Sequence, residues 1–106
     1  MAITIKVLAV NSTTNTSENT VYGPVGSGKA AIAKSLRFVN TTGSAVVVEL
    51  FLRRSSTSYH CLYKSVANND FYAETCDISL EEGDELRLKT GATAIKYLIS
   101  GIERDV

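Results

Sequence analysis

The sequence has no tryptophan, one histidine, one proline and two cysteines, and its charges cancel. Each scarcity removes a class of protein. A single His60 cannot supply the several imidazoles of a cupin-type metal barrel. With only Cys61 and Cys76 beside it, a closed zinc site would need a carboxylate that no motif marks. The opening MAITIKVLAV carries one lysine and an apolar run broken by Thr4 and Lys6, too short for a secretory signal. No run is long enough to cross a bilayer. The expectation is a soluble product made in the cytoplasm, with two half-buried thiols rather than a disulfide. Three Asn-x-Ser/Thr sequences, at Asn11, Asn15 and Asn40, then read as products of Asn/Thr-rich loops, not glycan acceptors. Eleven basic residues against eleven acidic ones leave no net field for nucleic acid or an anionic membrane, so neither is expected as a partner. A chain of 106 residues holds one hydrophobic core, hence a single domain over 1–106.

What the sequence does have is a period of two. Ile3, Ile5 and Val7 alternate with Thr4, Lys6 and Leu8. Val46, Val48, Leu50 and Leu52 form one side of a later run, with Glu49 and Arg53 opposite, and Ile95, Tyr97 and Ile99 alternate near the end. Such alternation, rich in β-branched and aromatic residues, suits strands with one buried face. Turn-forming clusters punctuate it: NTTGS at 40–44, VANND at 66–70, LEEGDE at 80–85 and KTGAT at 89–93. About eight strands are predicted, over 2–10, 19–23, 29–39, 45–54, 58–65, 71–80, 84–89 and 94–104. That number closes two sheets face to face, an all-β antiparallel sandwich or jelly roll. The stretch NSTTNTSENT, 11–20, is apolar-free and reads as a surface loop, either mobile or in contact with a partner.

GPVGSGKA, Gly23–Ala30, spells the Gly-x-x-x-x-Gly-Lys of a phosphate loop. A working loop needs a buried strand before it, a helix starting at the lysine, and a Ser or Thr next to hold magnesium. Here only TVY precedes the glycine, Ala30 stands where the hydroxyl belongs, and AAIAKSLRFVN ends β-branched and aromatic, as a strand does. The motif is therefore expected to be a turn. His60 and Cys61, adjacent in a strand, should point to opposite faces and form no dyad. Glu81, Glu82, Asp84 and Glu85 lack the spacing of a calcium loop and read as a tight turn. No catalytic residue, cofactor or metal is expected.

Tyr59, Tyr63, Phe71 and Tyr72 crowd the middle of the chain, as core or as interface anchors. Alternation would place Tyr59, Cys61 and Tyr63 on one face of their strand and His60, Leu62 and Lys64 on the other. With Ile3 and Ile5 of the first strand, these four aromatics are the candidate protein-contact residues.

Two longer stretches carry a resemblance. TVYGPVGSGKAAIAKSLRFVNTTGSAVVVELFL resembles an opening unit of small tailed-phage structural proteins: a short Tyr-x-x-Pro strand, here one residue shorter as Tyr22-Gly23-Pro24, a Gly-Lys turn, a strand ending in Asn and a Val-rich strand. ISLEEGDELRLKTGATAIKYLISGIE resembles their closing unit, with Leu80, Gly83 and Asp84 in its turn and Ser100, Gly101 and Glu103 in its last strand. The resemblance covers about half the chain and omits 55–78. It implies a non-enzymatic β-sandwich virion protein that forms homo-oligomers and binds the major capsid protein or another virion protein, as a head decoration (cement) protein or as a small tail or connector component. A glycan- or receptor-binding sandwich is the alternative of another class, with the tyrosines as platform.

Overall fold

In the structure, a computed structural model that describes residues 3–106, with side chains from Thr4 onward, all eight expected strands form. They are β1 (Ile3–Ser12), β2 (Asn19–Tyr22), β3 (Lys29–Asn40), β4 (Val46–Arg54), β5 (Thr57–Val66), β6 (Asp70–Leu80), β7 (Glu85–Thr90) and β8 (Lys96–Asp105). Every boundary falls within two residues of its expected place. No helix occurs among the described residues, so none is long and apolar enough to cross a membrane. The polar stretch 11–20 is shorter as a loop than its composition suggests, because Asn11 and Ser12 continue β1 and Asn19 opens β2.

The strands make two four-stranded antiparallel sheets, ordered β1-β8-β3-β6 and β2-β7-β4-β5, the alternation of a jelly roll. Their inner faces share one core. Leu36, Phe38 and Ile99 from the first sheet meet Val48, Leu50, Leu86 and Leu88 from the second, all essentially without solvent contact. Each such side chain contributes about 1.5–3 kcal/mol of burial free energy.

Polar side chains pin the ends of this core. At one end Asn40 is fully buried, and its amide nitrogen donates to the carbonyls of Ser44 at 2.8 Å and Val66 at 2.9 Å. The β3–β4 reversal is thereby tied to the β5–β6 reversal. At the other end the buried Asp84 carboxylate accepts from Arg54 Nε at 2.8 Å, Arg54 Nη2 at 2.5 Å and the Glu81 amide at 2.8 Å. Gly101 lies on the inner face between Lys6 and Ala33, where an added Cβ would sit 2.0 Å from the Ile32 carbonyl oxygen. Nearby, Tyr22 donates its hydroxyl to Glu103 at 2.5 Å across the two sheets.

Register shifts occur in the β2–β7, β3–β6 and β3–β8 pairs, and in two further pairs, where they reorient residues singled out in the sequence. The β4–β5 register shifts between Leu50 and Phe51, so Cys61 is an extra residue in β5. Tyr59 then pairs with the inward Leu52, His60 with Phe51, and Tyr63 with Glu49. The expectation that Tyr59, Cys61 and Tyr63 share a face is corrected by this one residue: Tyr59 and Tyr63 point to opposite sides of the sheet. In β1 the register shifts between Val7 and Ala9; Leu8 and Ala9 are buried, whereas Ile5 and Val7 are exposed. The apolar side of this strand, expected to be buried, faces outward.

Candidate functional site

The Gly-Lys motif occupies the turn between β2 and β3, and Lys29 opens a strand rather than a helix. Three of its backbone donors are already engaged. Val25 N–H bonds the Asp84 carbonyl at 3.0 Å, Lys29 N–H bonds Gly26 O at 3.1 Å, and Gly28 N–H is taken by the Glu82 carboxylate at 2.9 Å. Gly23 has φ +97°, and a Cβ there would meet the Asp84 carbonyl oxygen at 2.7 Å. Val25 is buried against the core, and Lys29 Nζ bonds Asp105 at 2.8 Å. A phosphate would have to displace a carboxylate at a place where no helix dipole compensates. The segment is a plug that docks on the Leu80–Glu85 turn.

The acidic run is likewise spread over separate partners. Asp84 and Glu81 turn to Arg54, Glu82 to Gly28, and Glu85 to Thr20 and Arg87. Among the described residues no group of three or more His, Cys, Asp or Glu side chains could hold a metal ion. His60 Nε2 lies 2.9 Å from Glu49, and its ring centroid is 4.3 Å from that of Phe51. Cys61 and Cys76 are both free and sit on strands of different sheets. Burial pushes both thiols up, which disfavours a thiolate nucleophile at neutral pH. Asn40, one of the three sequon asparagines, has its amide nitrogen committed to carbonyls in the interior.

The two outer faces of the sandwich differ in kind. Cross-strand partners share a face, so registers define its rows. On β2-β7-β4-β5 the outer rows are mostly charged and paired around the buried Phe51, with Tyr63 exposed on the edge strand β5. Glu85 accepts from Thr20 at 2.5 Å and from Arg87 at 3.2 Å, Ser58 donates to Glu18 at 2.7 Å, and Glu49 lies opposite Lys89. Exposed pairs of this kind add about 0–1 kcal/mol each, but they keep the face hydrated.

On β1-β8-β3-β6 the outer rows run Ile5–Ile102–Ile32–Ser79, Val7–Ser100–Ser35–Thr75, Val10–Leu98–Arg37–Ala73 and Ser12–Lys96–Val39–Phe71. These rows are mainly apolar, with hydroxyls through the middle and the cations Arg37 and Lys96 near one corner; at the register shift between the first two rows the exposed Lys34 and Asp77 form an ion pair across β3 and β6. Ile5 is 86% exposed, Val10 68% and Phe71 53%. Arg37 lies over the Phe71 ring, 4.9 Å from its centroid. A shallow groove of about 410 Å³ runs past Val10, Val39 and Leu98, with Arg37 and Lys96 on its walls.

Of the residues singled out in the sequence, Ile5 and Phe71 come to this face, on its two edge strands. Ile3 lies in β1, but its side chain is outside the described residues. Tyr72 is half-buried against the core, opposite Phe38, and donates its hydroxyl to Glu74 at 2.7 Å. Tyr59 stands at the inner rim of β5 and Tyr63 on the outer face of the charged sheet. The four central aromatics thus do not form one patch. Val7, Val10 and Leu98, which complete the apolar face, were missed. Their signal lay in YLISGI, where Leu98, Ser100 and Ile102 alternate with Tyr97, Ile99 and Gly101, so that both sides of β8 carry large apolar groups.

The chain matches no protein-family model and no curated protein. Among solved structures it is similar to that of Eiger TNF from S. frugiperda, with 10% sequence identity, a TM-score of 0.41 and 95% of each chain covered. A likeness of that strength bears on neither activity nor partners.

Proposed function

We propose that this chain is a non-enzymatic structural protein of a virion, a decoration (cement) protein that binds a phage head shell and stabilises it. The observation that carries the reading is the largely apolar outer face of the β1-β8-β3-β6 sheet, set against an opposite face whose outer rows are mostly charged. An apolar patch of a few hundred Å² on a soluble protein is often functional, and it marks a place where another chain sits. Of the motif residues behind the phage resemblance, Leu80 lies in the core, Gly83, Asp84, Gly101 and Glu103 serve turns and contacts between strands and sheets, and Ser100 lies on the outer face. They suit a protein whose task is to hold a shape.

A cement protein works by burying surface across the joints between shell subunits. Each contact is modest, and the summed energy of many copies opposes the outward pressure of packaged DNA. Neutral net charge suits a protein partner rather than the DNA inside. For the glycan-binding alternative, Tyr59 and Tyr63 on opposite sides of their sheet do not make an aromatic platform.

The test is the ratio of this chain to the major capsid protein in purified particles, by quantitative mass spectrometry. A ratio near one copy per shell subunit, or a simple fraction of it, supports decoration. A few to a few dozen copies per particle would move the chain to the tail or connector, and absence from particles would refute the virion reading.

A further inference from the structure

We infer that the apolar outer face of the β1-β8-β3-β6 sheet is covered by a second copy of this chain, so that the unit that binds a shell is a homo-oligomer. The inference rests on the assembly reading above and names the partner of that face.

Size is the first argument. Strands about 4.8 Å apart with a rise of about 3.3 Å per residue give the four rows a projected area of roughly 500 Å², more once side-chain relief is counted. Two such faces together reach the roughly 1,000 Å² at which specific interfaces begin. A contact much smaller than the whole face would leave Ile5 at one corner or Phe71 at another in water.

Chemistry is the second. The middle of the face offers Ser35, Ser100 and Thr75, whose hydroxyls both donate and accept, beside the Lys34–Asp77 ion pair, which carries both charges; each of these pairs with its own kind. The cations Arg37 and Lys96 lie together near one corner, and Arg37 is stacked on Phe71. Two copies related by a two-fold axis, with their strands antiparallel across the contact, set these corners at opposite ends, so like charges do not meet. Equal numbers of acidic and basic residues leave no long-range repulsion between copies.

The outward row of β1 is the third. This ten-residue edge strand is hydrogen-bonded on one side only, to β8, and carries Ile5 and Val10 outward. A long apolar edge left open invites uncontrolled strand pairing, and a defined contact that covers its side chains also hinders that approach.

The experiment is sedimentation equilibrium of the full chain over about 1–100 µM, a range that brackets micromolar association. The expected mass is a multiple of 11.4 kDa. Val10→Glu and Ile5→Glu, both at sites exposed in the single chain, should weaken association by about a hundred-fold while circular dichroism stays unchanged, because each sets an unpaired carboxylate in an apolar contact. Tyr63→Glu, on the opposite sheet, should leave the mass as it is. A wild-type chain of single-copy mass at the highest concentration would overturn the inference, as would folded Val10→Glu and Ile5→Glu variants of unchanged mass. A single-copy chain that still saturates purified shells would overturn this inference and leave the assembly reading standing. An oligomer that is absent from particles would do the reverse.

Discussion

Replacing Asn40 with alanine should loosen two chain reversals at once. The side chain is fully buried at the end of β3. Its Nδ2 donates to the carbonyls of Ser44, Val66 and Ala67 at 2.8, 2.9 and 3.3 Å, and its Oδ1 accepts from Thr42 N–H at 3.0 Å and Thr42 Oγ1 at 2.7 Å. The bond to Val66 is buried and the others are partly so; water can replace some of the latter but not the former. A buried group left without a partner costs about 1–3 kcal/mol, and with partial rescue of the rest the total loss should be about 3 kcal/mol. For a domain of this size each kcal/mol moves the midpoint by about 4–8 °C, so Tm should fall by about 12–24 °C. The assay is urea and thermal unfolding at one fixed protein concentration, with an unchanged m-value showing that the same surface unfolds. Asn40→Asp keeps the shape but sets a carboxylate against three carbonyl oxygens, so it should be worse than alanine. An alanine variant that loses less than about 1 kcal/mol, or an aspartate variant as stable as the parent, would refute this account of the buried amide.

Three further outcomes follow from the same interior. The hydrogen bond from Arg54, acting against burial, holds the Asp84 carboxyl below its ordinary 3.8; its contribution is therefore full above that value and lost as pH falls through the lower folded-state pKa. Urea midpoints of the parent and Asp84→Asn should accordingly differ most at neutral pH and converge in strong acid, and a constant gap would remove the charge from the explanation. Gly101→Ala should cost about 3 kcal/mol or more, because its Cβ meets backbone that cannot swing aside, whereas Ser100→Ala should change stability by about 0.5 kcal/mol or less. Unfolding midpoints decide this, and a near-neutral Gly101→Ala would mean that β3 and β8 can separate locally. Millimolar ATP with magnesium should leave Tm unchanged, whereas a saturable rise would mean that the Gly23–Lys29 turn opens to phosphate.

Much of this architecture was legible because period-two runs and turn residues agree along the chain. Val46, Val48 and Leu50 alternate cleanly and are buried as expected. NTTGS, VANND and LEEGDE each mark a reversal, with Gly43, Asn69 and Gly83 at positive φ. The tight β4–β5 hairpin was less legible. It turns on Ser55 and Ser56 at φ 52° and 66°, positions where glycine or asparagine is the usual signal. The bulge at Cys61 has no compositional mark at all, yet it decides which way every later side chain of β5 points. Sequence alternation alone could not therefore place Tyr59 relative to Tyr63.

The candidate surface was hidden for a different reason. Alternation says that one side of a strand is apolar, but not whether that side meets the core or a neighbour. In β1 the inference from Ile3, Ile5 and Val7 to a buried face was natural, and the bulge at Leu8 turned it round. The ambiguity is resolved only across strands: β3 and β8 already supply the core through Leu36, Phe38, Tyr97 and Ile99, so their remaining apolar residues have no interior left to enter. Arg37, Lys96, the Lys34–Asp77 ion pair and the central hydroxyls are the polar groups on this second face. On the opposite sheet Glu85, Arg87 and Glu49 occupy the equivalent outward positions and are paired with one another or with neighbours. One sandwich thus has a side whose outer rows are mostly charged and a side that is largely apolar, and that asymmetry, more than any motif in the chain, is the physical ground for the proposal that it is a component of an assembly.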